Sequence, residues 1–210
     1  MNQFVKSDEV VRCIEQSTTG KNTKFLKQSH SLWYRFGNYE TNPPFVLYKN
    51  NQIVSIIFAT TSQKTKYINL YEICTIQGHE GKGYATEIWS NFISYWYGLS
   101  MQRIKLSCTP SSITWHLRNG LVFWSVDKQG SLRSDQPLQN TITEQNKFRE
   151  QAVSKPIIAM PDNKVCEKLR SEDVETLQLS SKKMIETYNA IQKVGKYWLR
   201  PNLFKTWTSD

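Results

Sequence analysis

The sequence predicts an α/β chain of the α+β kind, with a helical extension at its C-terminal end. Three observations predict it. Phe45 to Tyr48 and Ile53 to Thr60 are β-compatible runs joined by Lys49-Asn50-Asn51-Gln52, the pattern of a hairpin. Ile68 to Gly98 passes from an apolar, β-compatible run through a glycine-rich turn into residues at helical spacing. From Asp162 to about Gly195 the apolar residues recur at loose helical spacing, behind a long polar segment.

The elements follow in order. Ser7 can cap a short helix to about Gln16, with Asp8 and Glu9 in its first turn. A second helix runs from about Thr23 to Tyr34, although Leu32 to Gly37 reads equally as a strand. Asn42-Pro43-Pro44 stops any helix. The hairpin comes next, and its asparagines tolerate the positive φ of a tight turn. Thr61 to Lys66 is a polar, basic loop, and Ile68 to Ile76 is a third strand. Gln77 to Gly83 then holds Gly78, Gly81 and Gly83, with Lys82 between the last two. Ala85, Ile88, Trp89, Phe92, Ile93 and Trp96 stand at i, i+3, i+4, i+7, i+8 and i+11, one face of an amphipathic helix.

Arg103 to Cys108 alternates as a fourth strand, and a short helix ends at Asn119-Gly120. Leu121 to Val126 is a fifth strand. Lys128 to Ser154 is polar, with a helix from about Thr141 to Val153, and Pro156 to Met160 is a short strand candidate. The tail, Lys196 to Trp207, mixes aromatic with basic residues.

Composition bounds the function classes. A hydrophobic content of 39% in 210 residues is enough for a core, so the chain is not disordered as a whole. No run of 18 apolar residues exists, which predicts no membrane span. Cys13, Cys74, Cys108 and Cys166 lie far apart, which argues against a zinc site or a disulfide scaffold and for a reducing cytoplasm. His30, His79 and His116 are isolated and make no metal site; His79, in the loop, is expected to face solvent. A net charge of +9 attracts polyanions without choosing among them.

The stretch Ile68 to Gly98 carries the chemistry. A helix start presents N–H groups without internal partners, and glycine lets a phosphate approach the backbone. A Walker loop would need glycines farther apart and a following Lys-Ser/Thr. A dinucleotide fingerprint would need a third glycine in its spacing and a βαβ start, which the hairpin contradicts.

Glu80-Gly81-Lys82-Gly83-Tyr84-Ala85 resembles the loop motif of the GNAT superfamily of acyl-CoA-dependent N-acyltransferases, which reads Arg or Gln, two residues, Gly, one residue, Gly or Ala. The order of elements from Phe45 to Val126 is similar too. Glu80 departs from the motif, being an acid where Arg or Gln is usual.

The resemblance implies a mixed, mainly antiparallel central sheet flanked by helices, in an acyltransferase domain over residues 1–161 followed by a helical extension over 162–210. It implies acetyl-CoA as acyl donor and direct attack by an amine. Gly81, Lys82, Gly83, Tyr84 and Ala85 would hold the pyrophosphate. Lys82 would add charge there or be solvated. The family's strand bulge would fall at Cys74-Thr75, and the N–H of Thr75 or Ile76 would hold the thioester carbonyl. Glu72 would be the general base and His116 the general acid, with Tyr84 and Tyr71 as substitutes.

The acceptor would meet the segments Lys21 to Tyr39 and Lys128 to Ser154, with Trp33, Tyr34 and Arg35 as candidate contacts. The mix of basic and aromatic residues in Lys21 to Tyr39 suits a nucleic acid as well as an amphipathic helix. The acceptor therefore stays open between an unspecified amine and a nucleic-acid base or charged tRNA. A non-catalytic nucleic-acid-binding module on the same fold is the reading from another class.

Overall fold

The structure is a computed structural model of the chain and describes residues 2–16, 21–35, 41–108, 112–121, 125–126 and 132–154. Two compact units divide the chain, Met1–Arg103 and Ile104–Asp210. The strand candidate Pro156 to Met160, the extension over 162–210 and the aromatic tail lie outside the described residues.

The first unit holds strands β1 (Asn2–Phe4), β2 (Phe45–Lys49), β3 (Gln52–Ser62) and β4 (Tyr67–Thr75), with helices α1 (Ser7–Gln16), α2 (Lys21–Arg35) and α3 (Tyr84–Gly98). The strands lie in sequence order and pair antiparallel. Asn50 and Asn51 both take positive φ, 49° and 60°, so the hairpin turn is the two-residue kind whose twist matches its strands. α2 runs to Arg35, so Leu32 to Arg35 is helix and the strand alternative is set aside. β1 was not anticipated: three residues are too few to carry an alternating pattern, and pairing with Phe45, Val46 and Leu47 holds it in place.

The sheet of this unit is covered on both faces. Phe45 meets Phe92 of α3 at a ring separation of 5.5 Å, and its neighbour Val46 joins Val10, Ile14, Leu26 and Trp33 of α1 and α2. Double coverage explains why Ile53 to Ala59 are all buried with no alternation. On α3, Ile88, Trp89, Phe92 and Ile93 are buried, as the helical spacing predicts. Side chains of this size each contribute about 1.5–3 kcal/mol when removed from water.

The second unit holds β5 (Arg103–Cys108, beginning at the boundary), α4 (Ile113–Arg118), β6 (Ser125–Val126), β7 (Leu132–Pro137) and α5 (Ile142–Ser154). Here β7 lies between β5 and β6. Of the expected strand Leu121 to Val126, only Ser125–Val126 is seen as strand among the described residues. β7 adds a strand, not anticipated, within the polar segment Lys128 to Ser154 ahead of its helix. Its buried positions include Ser134 and Gln136, and Gln136 Nε2 donates to Gly120 O (3.0 Å) and to Gln145 Oε1. Gly120 takes φ 81°, and a Cβ there would come within 2.5 Å of the Gln145 backbone, so the α4 stop requires glycine on both counts. α5 begins with a capping box, in which Glu144 N–H donates to Thr141 Oγ1 and Thr141 N–H to Glu144 Oε2.

Candidate functional site

β4 leads into the loop, and the loop opens α3. Ile76 N–H still bonds to Val54 O (3.0 Å), so the ladder with β3 continues one residue past β4. His79 N–H then bonds back to Ile76 O (3.0 Å), closing a turn. Gly81 and Gly83 take φ 74° and 80°, in the left-handed region that side chains disfavour, and nothing lies within 4 Å of where a Cβ would stand. Gly83 O accepts from both Thr86 and Glu87 N–H. Tyr84 and Ala85 therefore lead the helix with N–H groups that have no acceptor within it. No side chain caps this end.

The two charged residues of the loop turn inward. Glu80 Oε2 accepts from Gly78 N–H (2.6 Å), and Lys82 Nζ donates to Gly78 O (3.3 Å). Glu80, the departure from the motif, thus shapes the loop, and Lys82 ties it rather than standing off in solvent. A further cation was missed by the sequence reading. Lys49, at the end of β2, pairs with Glu87 of the first turn of α3 at 2.7 Å and stands 5.7 Å from the Tyr84 ring centre. Lys49 and Glu87 are 38 residues apart, and no local pattern joins them.

Glu72 lies on β4 at a break in register. Phe58 pairs with Glu72 and Ala59 with Leu70, which leaves Tyr71 as the extra residue of a bulge. The bulge expected at Cys74-Thr75 is therefore earlier, at Tyr71, because Cys74 and Thr75 pair in register with Ile56 and Ser55. Burial raises the Glu72 carboxyl from its ordinary 4.5 to about 7. The Cys74 thiol is pushed well above its usual range by burial first and by the Glu72 charge second, with Ser29 opposing. It is no nucleophile.

The ladder decides which N–H can face a ligand. Ile76 N–H is spent on Val54, which corrects its place among the thioester donors. Cys74 O accepts from Ser55 Oγ (2.8 Å) on the β3 side. In an antiparallel ladder successive residues point their polar groups to opposite sides, so Thr75 directs its N–H away from β3.

The other candidates take different places. Trp33, read as an acceptor contact, is 2% exposed and belongs to the core, edge-on to Tyr71 (5.2 Å) and tilted against Phe58 (5.8 Å). Tyr34 and Arg35 form the last turn of α2, and their side chains lie outside the described residues. His30 is half-buried, and burial lowers its pKa. His79 is half-buried rather than solvated, 6.2 Å from the Tyr84 ring.

His116 belongs to the second unit. It is 9% exposed, packs edge-on to Trp115 at 5.0 Å, and burial lowers its pKa to about 4. Its imidazole is therefore neutral at neutral pH, the wrong resting form for a general acid. Cys108, in the same unit, is buried with its thiol raised to about 12. Among the described residues no cluster of His, Cys, Asp and Glu could hold a metal ion, and no helix is long and apolar enough to cross a membrane.

Comparison with known proteins gives the fold a name. No family model matches the sequence, and no curated protein matches it. Solved structures match at the level of fold. A GNAT-family acetyltransferase from Desulfovibrio desulfuricans superposes with a TM-score of 0.52 at 12% identity, over 67% of this chain and 98% of that one. The PaiA N-acetyltransferase of Thermoplasma acidophilum, in complex with coenzyme A, gives 0.51 at 8% identity, over 65% and 98%. A spermidine N-acetyltransferase from Vibrio cholerae gives 0.50 at 10% identity, over 66% and 93%. The chain has the mixed α/β fold of the GNAT acetyltransferases, and at these identities the fold is what is shared.

Proposed function

We propose that the chain is an acyl-CoA-dependent N-acyltransferase that moves an acetyl group from acetyl-CoA to an amine. The observation that carries this reading is the join of β4 to α3. A half-buried carboxylate on the strand is followed by a glycine loop that leaves the first N–H groups of a long helix uncapped. The fold supports it, since the structures that match include acetyltransferases, among them one in complex with coenzyme A.

The donor's pyrophosphate fits the backbone of Gly81 to Ala85. The glycines leave the approach open, and the uncapped N–H groups with the positive end of the α3 dipole favour an anion. Thr75 N–H is the donor assigned to the thioester oxygen, where it stabilises negative charge as the tetrahedral intermediate forms.

Glu72 is assigned as the base. With a pKa of about 7 it is substantially ionised at neutral pH and still basic enough to accept a proton from an ammonium or from the attacking amine. The amine nitrogen bonds to the thioester carbon, its proton passes to Glu72, and the carbon–sulfur bond breaks with its electron pair leaving on sulfur. His116 is given no acid role, because it stays neutral until the pH falls to about 4.

A mass-shift assay tests the reading. The protein is incubated with acetyl-CoA and panels of small amines, peptides and RNA. Acetylated amine or peptide, with free coenzyme A released in equal amount, is the expected result. No thermal stabilisation by any acyl-CoA, together with salt-dependent RNA binding, would overturn it.

A further inference from the structure

The first unit contains a cleft of about 390 Å³ on the α1 side of the sheet. It lies within the range of small-molecule sites, about 300–1,000 Å³. One flank of α1 and the tip of the β2–β3 hairpin form its walls, and His79 stands at its edge. Ile53 and Ile76 give it a buried apolar floor. Its lining includes neither Glu72 nor any residue from Gly81 to Ala85, so it stands apart from the groups assigned to the transfer.

Two opposite charges line this cleft and do not meet. Glu9 and Arg12 stand at i and i+3 on α1, a spacing at which side chains are neighbours and can pair. Among the described residues they make no ion pair with each other. The Tyr48 hydroxyl, from β2, donates to Glu9 Oε1 and draws that carboxylate toward the hairpin. Arg12 is exposed and has no partner among the described residues. A carboxylate with one oxygen to spare and an uncommitted guanidinium are thus held about one helical turn apart.

That arrangement selects a ligand by charge. A polyanion meets repulsion from Glu9, and a polycation meets it from Arg12. A zwitterion satisfies both. The guanidinium fork matches a carboxylate with two parallel N–H donors, and the spare oxygen of Glu9 accepts from an ammonium. Cβ atoms at this spacing lie about 5–6 Å apart, so a ligand with its two charges close together fits best. An α-amino acid carries its ammonium and its carboxylate on one carbon. Its side chain meets the floor of Ile53 and Ile76, with the amides of Asn51 and Gln52 at the rim.

We infer that the cleft binds a free α-amino acid by both ends, its carboxylate on Arg12 and its ammonium on Glu9, as a ligand distinct from the acetyl acceptor. The amine is held as a cation, away from Glu72, and is not placed for attack. The assignment does not depend on the acyltransferase reading, since it uses none of the same residues.

Calorimetry on the full chain with each of the twenty L-amino acids tests it. At least one is expected to bind with a Kd below about 1 mM. Its N-acetyl and α-amide forms, which each lack one charge, bind about tenfold more weakly or worse, the worth of one charge-assisted hydrogen bond. Arg12→Gln weakens the free amino acid by a similar factor and brings it within about twofold of its α-amide; Arg12→Lys restores part of the difference. Glu9→Gln does the same against the N-acetyl form, and its amide oxygen keeps an acceptor for the Tyr48 hydroxyl. Arg12 is exposed, so its variants remove no core packing. No binding of any amino acid by wild type at about 10 mM overturns the inference. So do blocked forms that bind as well as the free one, or preferences that both variants leave unchanged. Recovery of the bound amino acid as its N-acetyl derivative after incubation with acetyl-CoA makes it an acceptor and overturns the separate site.

Discussion

Glu72 and Glu80 are the same residue type, eight positions apart on one continuous stretch, and they do different things. Glu72 is half-buried at the bulge of β4, and burial moves its carboxyl to about 7. Glu80 is exposed in the loop and spends an oxygen on the Gly78 N–H. The first is a chemical group whose environment has changed its acidity. The second is a structural group that holds the turn through a backbone amide. Solvent access makes the difference at Glu72, where the scarcity of water destabilises the charge.

The largest expected effect falls on the buried member. Glu72→Gln should lower kcat/KM by about 10²–10⁴-fold, the usual worth of a positioned base. The wild-type profile should rise with pH through about 7, and that limb should vanish in the variant. A variant with full activity and an unchanged profile would remove Glu72 from the mechanism.

Next comes the loop that separates the two. Gly83→Trp places a large side chain at φ 80° and over the approach to α3, and should weaken acetyl-CoA binding by about 100-fold in calorimetry. Wild-type affinity in this variant would sink the loop assignment.

The third prediction concerns stability and has the opposite sign to the loss of activity. The folded pKa of Glu72 lies above its ordinary value, so the folded state binds more protons between pH 4.5 and about 7. Stability therefore falls as the pH rises through that window, and the cost is complete above it. Glu72→Gln carries no charge to bury and should be more stable than wild type at pH 8 by roughly 1–3 kcal/mol. The difference should shrink toward zero as the pH falls to 4.5, where both side chains are neutral. Urea unfolding at the two pH values measures it.

Smaller effects belong to the exposed carboxylate and to the distant histidine. Glu80→Ala removes one hydrogen bond to a backbone amide, worth about 0.5–1.5 kcal/mol, and should raise the donor KM a few-fold. Glu80→Gln keeps an acceptor and should recover most of that. His116→Phe should change kcat less than about threefold, since the imidazole it removes is neutral at neutral pH. A 100-fold loss there would restore the acid's role.

How much of this was legible depended on range. The hairpin, the Gly81–Ala85 loop, the α3 face and β5 each rest on residues close in sequence, so periodicity and glycine placement revealed them. Trp33 was misplaced because basic and aromatic residues interleave alike on a binding surface and on a half-buried helix; burial against Phe58 and Tyr71 separates the two. The bulge was misplaced because counting back from the loop ignores the partner strand, and a bulge exists only relative to a partner. β7 was missed because Ser134 and Gln136 look like surface residues until Gly120 and Gln145 satisfy Gln136.

The sequence by itself determined that a strand, a glycine loop and a helix follow one another between Ile68 and Gly98, because φ preference and side-chain period are properties of the local chain. Only the tertiary structure decided what Glu72 is, since a carboxyl's acidity is set by how much water its neighbours exclude. The same holds for Lys49 on Glu87, for the Ile76 N–H spent on Val54 and for the cleft beside His79. Each brings together groups from different strands and helices, and no pattern along the chain records that meeting.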